Sequence, residues 1–330
     1  MPTVVITGGS AGVGRALSRL YAREGWNVAV IAREQGRLDK TASEIRGFGA
    51  EAMTFSADVT DAAALEAAAE DVVKSWGAID LWINNAMTTV YSPFDQMTAE
   101  EFERVNAVVY LGQVNGARAA LKHMRAARNG KIVFIGSALA YRSIPLQSAY
   151  CAAKHAVHGF VSALRSELYH DGVPVDLAMM QLPTVNTPQF SWCRSKLPVR
   201  PDAPPPIYSP EAVAQAIYDA ALGDTEEVFI GRSTMELVAA QTVAPNLLDR
   251  PVGIKAWQGQ LSDRKQLGSH DGNLFEPVIG DYAAEGRFSS DQVARVTRVG
   301  SGLFRGGVIA LAGGAAALVG YALAGGRHRS

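Results

Sequence analysis

Between residue 3 and about residue 230, short apolar and β-branched runs alternate with helix-length segments. The runs are Thr3–Ile6, Asn27–Ile31, Ala52–Phe55, Ile79–Ile83, Lys131–Ile135, Val173–Met179 and Glu227–Ile230. They are nearly continuous in apolar character instead of alternating, which suits strands covered on both faces. The intervening segments, Val13–Glu24, Glu34–Phe48, Asp61–Ser75, Thr98–Ala127, Ala149–Asp171 and Pro210–Leu222, are long enough for helices. Thr60 and Asp61 stand where a helix would start, and Thr98 followed by Glu101 has the spacing of a capping box. Repeated strand–helix units predict a doubly wound, parallel α/β sheet of the Rossmann-like kind, with seven strands and right-handed crossovers.

The pattern changes after this point. Ser195–Pro210 carries six prolines, which excludes regular helix and central strand. It reads either as a surface linker or as a lid over a pocket, with a substrate loop spanning about 186–210. Residues 233–300 read as a C-terminal extension to a catalytic domain of residues 1–232. Met235–Leu248 is compatible with a helix interrupted by Pro245, and Ser289–Val299 with a short helix. Gly306–Gly325 then runs for twenty residues without a charge. A helix over 303–325 would reach across a hydrocarbon core, and small residues at Ala312, Ala316, Gly320 and Ala324 recur at a spacing suited to close packing in lipid. A helix docked on the body and a loose tail are the alternatives. Six glycines and seven alanines make this stretch only marginally apolar.

Composition narrows the partners. The chain has 330 residues, enough for a large core, with 48% hydrophobic and 19% charged residues, a globular balance. A net charge of −1 gives no electrostatic reason for a nucleic-acid partner. Two cysteines, Cys151 and Cys193, suggest neither a disulfide framework nor a metal knuckle, and His155 and His158 lack further ligands at metal spacing. No metal is expected. The N-terminus lacks the pattern of a secretory signal, so the expected setting is the cytoplasm or, with the tail as an anchor, the cytoplasmic face of a membrane.

Two stretches carry chemistry. Thr7–Gly14, TGGSAGVG, follows the first strand and opens the first helix. A Gly-rich turn there lets backbone N–H groups and a helix N-terminus approach a pyrophosphate. The second strand ends with Ala32 and Arg33, where an NAD-binding fold usually places an acid. Arg33 and Arg37 suit a 2′-phosphate, which favours NADP(H) over NAD(H). Farther on, Tyr150 and Lys154 are one helical turn apart. An ammonium beside a phenol would lower its pKa and fit it for acid–base work on a carbonyl oxygen. Ser137, at the C-terminal end of a strand, could hold the same oxygen.

These motifs, with Asp58 and Val59, Asn84–Ala86 and Asn106 in order between them, resemble the short-chain dehydrogenase/reductase family over residues 3 to about 232. The resemblance implies that Tyr150 is the proton donor or acceptor, that Ser137 orients the substrate, and that Lys154 binds the nicotinamide ribose and lowers the Tyr150 pKa. It implies that Asn106 holds a water in the proton relay. It further implies cofactor contacts from Thr7, Gly8, Ser10, Gly12, Val13, Gly14, Asp58, Val59, Asn85, Ala86 and Thr187. Homodimers or homotetramers are the expected assemblies, and a small carbonyl or alcohol, lipophilic if the tail meets membrane, the expected substrate. Two positions depart from the family's pattern. Met87 stands where a glycine is common, and Leu182–Pro183 where Pro-Gly is common. A catalytically silent cofactor-binding scaffold is the alternative function. An epimerase or dehydratase of the extended branch is disfavoured by the glycine spacing TGxxxGxG.

Overall fold

The computed structural model describes residues 1–265, 271–280 and 283–310. The predicted runs form β1 (Thr3–Thr7), β2 (Asn27–Ala32), β3 (Ala52–Ser56), β4 (Leu81–Asn84), β5 (Lys131–Ile135), β6 (Asp176–Gln181) and β7 (Glu227–Ile230). All are parallel to their neighbours, in the order β7-β6-β5-β4-β1-β2-β3. Side chains alternate between two cores. Val4, Ile6, Val28, Val30, Val133 and Ile135 face one cluster, while Val5, Ile31, Trp82 and Phe134 face the other. This two-sided burial is why the strand sequences read as continuous apolar runs.

Helices α1 (Gly12–Arg23) and α2 (Gln35–Gly47) cover the first face. The second is covered by α3 (Ala62–Trp76) and by α4 (Ala99–Asn106), α5 (Gly112–Ala127) and α6 (Ser148–His170). Helix α7 (Pro210–Ala221) packs beside α1, and α8 (Arg232–Val243) follows β7. Thr98 and Glu101 make the expected capping box. The predicted helix over Thr98–Ala127 is not uniform, because a π turn, Ala107–Leu111, separates α4 from α5.

The sheet has eight strands, not the seven expected. Arg298–Gly300 forms β8 and pairs antiparallel with β7, Ile230 opposite Arg298 and Val228 opposite Gly300. An open sheet edge offers unpaired N–H and C=O groups, and the extension returns to satisfy them. The short helix expected over Ser289–Val299 is therefore replaced by extended chain, with Gln292–Val293 pairing to Ile207–Tyr208. The proline-rich stretch likewise forms short edge pairs: Arg194–Ser195 with Val90–Tyr91, and Val199–Pro201 with Leu261–Lys265.

Residues 301–310 are helical, and Phe304 packs on Phe229 with ring centroids 4.9 Å apart. The rest of the candidate span 303–325 lies outside the described residues. Among the described residues no helix is long and apolar enough to cross a membrane.

The extension is woven into the body. Leu274 is fully buried among Val90, Val105, Val109, Ala149 and Ala153. Leu274→Ala should destabilise the protein by about 3 kcal/mol through the lost contacts and the cavity left behind. Urea unfolding measures this, and a change below about 0.5 kcal/mol would show that the segment contributes nothing to the core.

Candidate active site

One cavity of about 510 Å³ opens along the C-terminal ends of the parallel strands, the place where open α/β sheets bind ligands. Of the residues singled out in the sequence, Gly8, Ser10, Gly12, Val13, Arg33, Arg37, Asp58, Val59, Asn85, Ala86, Ser137, Tyr150, Lys154 and Thr187 line it. Thr7, Gly14 and Asn106 do not.

Thr7 and Gly14 act on the loop's shape. Thr7 Oγ1 accepts from the N–H of Asn85 at 3.0 Å and of Ala86 at 3.2 Å, and Asn85 Nδ2 donates to the carbonyls of Thr7 and Gly8 at 3.1 and 3.2 Å. The Asn84–Ala86 motif thus staples the Gly-rich turn to the end of β4. A Cβ on Gly14 would stand 2.2 Å from the Gly8 carbonyl oxygen, so only glycine permits this closure. Helix α1 then begins at Ala11 with no side-chain cap and no acid in its first turn. The Gly12 N–H donates to the Ala283 carbonyl at 3.4 Å, and an uncapped helix start of this kind suits a pyrophosphate.

The far wall was not visible in the sequence. Residues 273–280 of the extension run past the ends of β2 and β3. Arg33 donates to the carbonyls of Asn273 and Phe275 at 2.5 and 2.7 Å, and Arg37 to those of Val278 and Gly280 at 2.5 and 3.3 Å. Arg37 also stacks on Trp192, 4.8 Å from the ring centroid. The two guanidiniums face the cavity while held by main-chain oxygens. Asp58 accepts from Arg104 and, at 3.0 and 2.9 Å, from the N–H and hydroxyl of Thr60. Burial works to raise its pKa, but the bonds from Arg104 and Thr60 prevail and hold the carboxyl below its ordinary value. Glu34, the acid nearest the end of β2, caps α2 by accepting from Gly36 and Arg37 N–H at 3.0 and 2.7 Å.

Ser137 leaves β5, and Tyr150 and Lys154 share one face of α6. The Ser137 side chain lies close enough to the Tyr150 phenol to work against the rise in its pKa, and its hydroxyl accepts from the Leu139 N–H at 3.1 Å. Lys154 is 2% exposed, donates to the Ile135 carbonyl at 2.6 Å, and lies 5.5 Å from the centroid of the Tyr150 ring. The expected lowering of the Tyr150 pKa by Lys154 is not what this geometry gives. Burial pushes the phenol above its ordinary range, offset only in part by Ser137, and pushes the ammonium down to about 7. Desolvation outweighs the pair's attraction because neither group is well exposed to water. Asn106 ends α4 just before the π turn, and its amide donates to the Phe102 carbonyl at 2.9 Å within its own helix.

The apolar side chains of Ile144, Phe190, Trp192, Pro205, Leu237 and Ala256 also line this cavity and make up its apolar chamber. From the proline-rich stretch, Pro204 and Pro205 line the cavity. Met87 enters the rim where a glycine was expected, and Leu182 and Pro183 line the floor. Gln147 and Gln260 are buried polar groups of the chamber, joined by a 2.7 Å bond from Gln147 Nε2 to Gln260 Oε1.

Comparison with known proteins agrees with this geometry. The sequence profile of the family described as short chain dehydrogenase matches residues 2–196. An uncharacterised oxidoreductase of Bacillus subtilis, YxnA, is 29% identical over 279 residues, covering 84% of this chain and 78% of its own. The 2-(S)-hydroxypropyl-CoM dehydrogenase 3 of Xanthobacter autotrophicus is 34% identical over 173 residues, 52% of this chain and 68% of its own. The solved structure of an alcohol dehydrogenase from the archaeon Thermococcus sibiricus superposes with a TM-score of 0.59 at 24% identity, over 69% of this chain and 95% of that one. That likeness concerns the fold.

Proposed function

Because this chain belongs to the short-chain dehydrogenase family, we propose that it is an NADP(H)-dependent oxidoreductase interconverting a lipophilic carbonyl compound and its secondary alcohol, with Tyr150 as general acid–base. The observation that carries this reading is that Ser137, Tyr150 and Lys154 line one cavity together with the Gly-rich turn and the apolar side chains of Ile144, Phe190 and Leu237. Gly8, Ser10, Gly12 and Val13 would hold the pyrophosphate, Asp58 and Val59 the adenine, and Asn85, Ala86, Lys154 and Thr187 the nicotinamide half. Arg33 and Arg37 would take the 2′-phosphate alongside the carbonyls they already engage. NADP(H) is favoured because two arginines, Arg33 and Arg37, stand at the end of β2, while the neighbouring acids Asp58 and Glu34 pair with them at 3.8 and 3.6 Å and Glu34 also caps α2.

When bound, the nicotinamide supplies or accepts the hydride at the substrate carbon. In reduction, Tyr150 gives its phenolic proton to the carbonyl oxygen while the Ser137 hydroxyl holds that oxygen in line. Burial keeps the phenol protonated at neutral pH, the form a proton donor needs. The chamber excludes water and orients the apolar part of the substrate. Purified protein should oxidise NADPH in preference to NADH with long-chain or aromatic ketones, at a kcat/KM at least tenfold above that for small polar carbonyls. Turnover of polar carbonyls alone would remove the lipophilic assignment, and equal use of NADH would remove the NADP(H) preference.

A further inference from the structure

Ser137 is held from behind by a buried polar chain that the reaction itself does not call on. Gln181, at the end of β6, is fully buried after the apolar run Leu177–Met180. Its Oε1 accepts from the Ser137 backbone N–H at 2.9 Å, and its Nε2 donates to Glu227 Oε1 at 2.8 Å. A side chain at Gly136 would have to displace this amide, since a Cβ there would stand 2.2 Å from Gln181 Oε1. Glu227 begins β7 and is 7% exposed. Its Oε1 also accepts from the Tyr141 hydroxyl, which lies 3.1 Å from His158 Nε2, and its Oε2 accepts from Arg305 at 3.0 Å. Tyr141 follows the short turn that Ser137 opens, and Arg305 stands on the helical segment 301–310.

Such a carboxylate is costly to bury and is tolerated here because three side chains, Gln181, Tyr141 and Arg305, donate to it. The chain of bonds ends on one backbone group, the N–H of the residue whose hydroxyl meets Tyr150. We propose that Gln181 and Glu227 are positioning residues that fix Ser137 against Tyr150, and that Arg305, by completing the shell of Glu227, ties the docked C-terminal helix to the alignment of the site. This rests on Ser137 orienting the substrate carbonyl. Nothing in the geometry requires Gln181 to touch substrate or cofactor. Its amide oxygen and one amide N–H are engaged by Ser137 and Glu227.

The test is a double-mutant cycle on the full-length enzyme. Gln181→Met keeps length and apolar fit but removes both bonds, and should lower kcat roughly tenfold with cofactor dissociation constant unchanged. In a Ser137→Ala background the same change should cost less than twofold, because the group it positions is gone. Glu227→Leu should behave like Gln181→Met, and Glu227→Gln, which keeps an acceptor for Gln181 and Tyr141, should recover most of the lost turnover. Arg305→Met should lower kcat by a few-fold, again only when Ser137 is present. If Ser137→Ala alone leaves kcat intact, the assigned role of Ser137 fails. If Ser137→Ala is crippling but Gln181→Met is silent, or its effect multiplies with that of Ser137→Ala, the positioning chain is overturned.

Discussion

Tyr150→Phe should reduce kcat for carbonyl reduction by about three orders of magnitude while leaving the fold and cofactor affinity in place. The ring remains, so its packing beside Lys154 is preserved, and the change in unfolding free energy should stay within about 1 kcal/mol. What disappears is the phenolic proton beside Ser137 in the cavity. The pH dependence follows from the direction of the phenol's shift. Burial raises it, so the protonated form persists through neutral pH and reduction should be insensitive to pH there. Oxidation of the alcohol needs the phenolate and should accelerate as pH rises. Steady-state kinetics in both directions, beside fluorescence titration of the cofactor, separate the outcomes. A variant that loses cofactor binding together with turnover would place Tyr150 in binding rather than proton transfer.

The parts legible in the sequence are those where side chains repeat with a period. The strand runs are apolar throughout because both faces are buried, and the seven parallel strands lie within a few residues of their expected positions. The phosphate loop and the Ser137, Tyr150 and Lys154 set were legible for a different reason, since their chemistry demands particular residues at short spacings. The extension offered neither signal. It is fastened by single buried side chains such as Leu274 and Ala284 and by backbone carbonyls that receive Arg33, Arg37 and Arg104. Every residue owns a carbonyl, so no pattern of side chains announces which ones an arginine will find. Strand β8 is three residues long, too short for periodicity to show. Gln181 could have been noticed as a polar residue closing the apolar run LAMM, but its partners at positions 137 and 227 are brought close only by neighbouring strands. The pKa expectation for the Tyr150–Lys154 pair erred in a related way. Helix spacing reports proximity, whereas desolvation depends on what the rest of the chain packs around the pair.

Lys154→Met should abolish turnover, by at least a hundredfold, and at the same time make the protein more stable at pH 6. The lysine is fully enclosed with one carbonyl for a partner, and burial carries its pKa from 10.5 down to about 7. Below pH 7 the side chain is charged in both folded and unfolded chains, so the whole desolvation penalty opposes folding, on the order of 4 kcal/mol. Methionine removes that penalty and gives up the bond to the Ile135 carbonyl, which costs about 1–2 kcal/mol. The variant should therefore unfold at higher denaturant concentration than the wild type at pH 6. Between pH 7 and 10.5 the unfolded chain binds the proton that the folded one has released, so wild-type stability rises with pH relative to the variant. The difference should close across this window and reverse near its upper end, where the retained hydrogen bond favours lysine. Urea unfolding of both proteins at pH 6, 8 and 10 measures it, and a gap that does not move with pH would mean the ammonium is solvated in the folded state. The lysine is held beside Tyr150 at a cost to the fold, and the stability lost at pH 6 measures how strongly the rest of the core enforces its position.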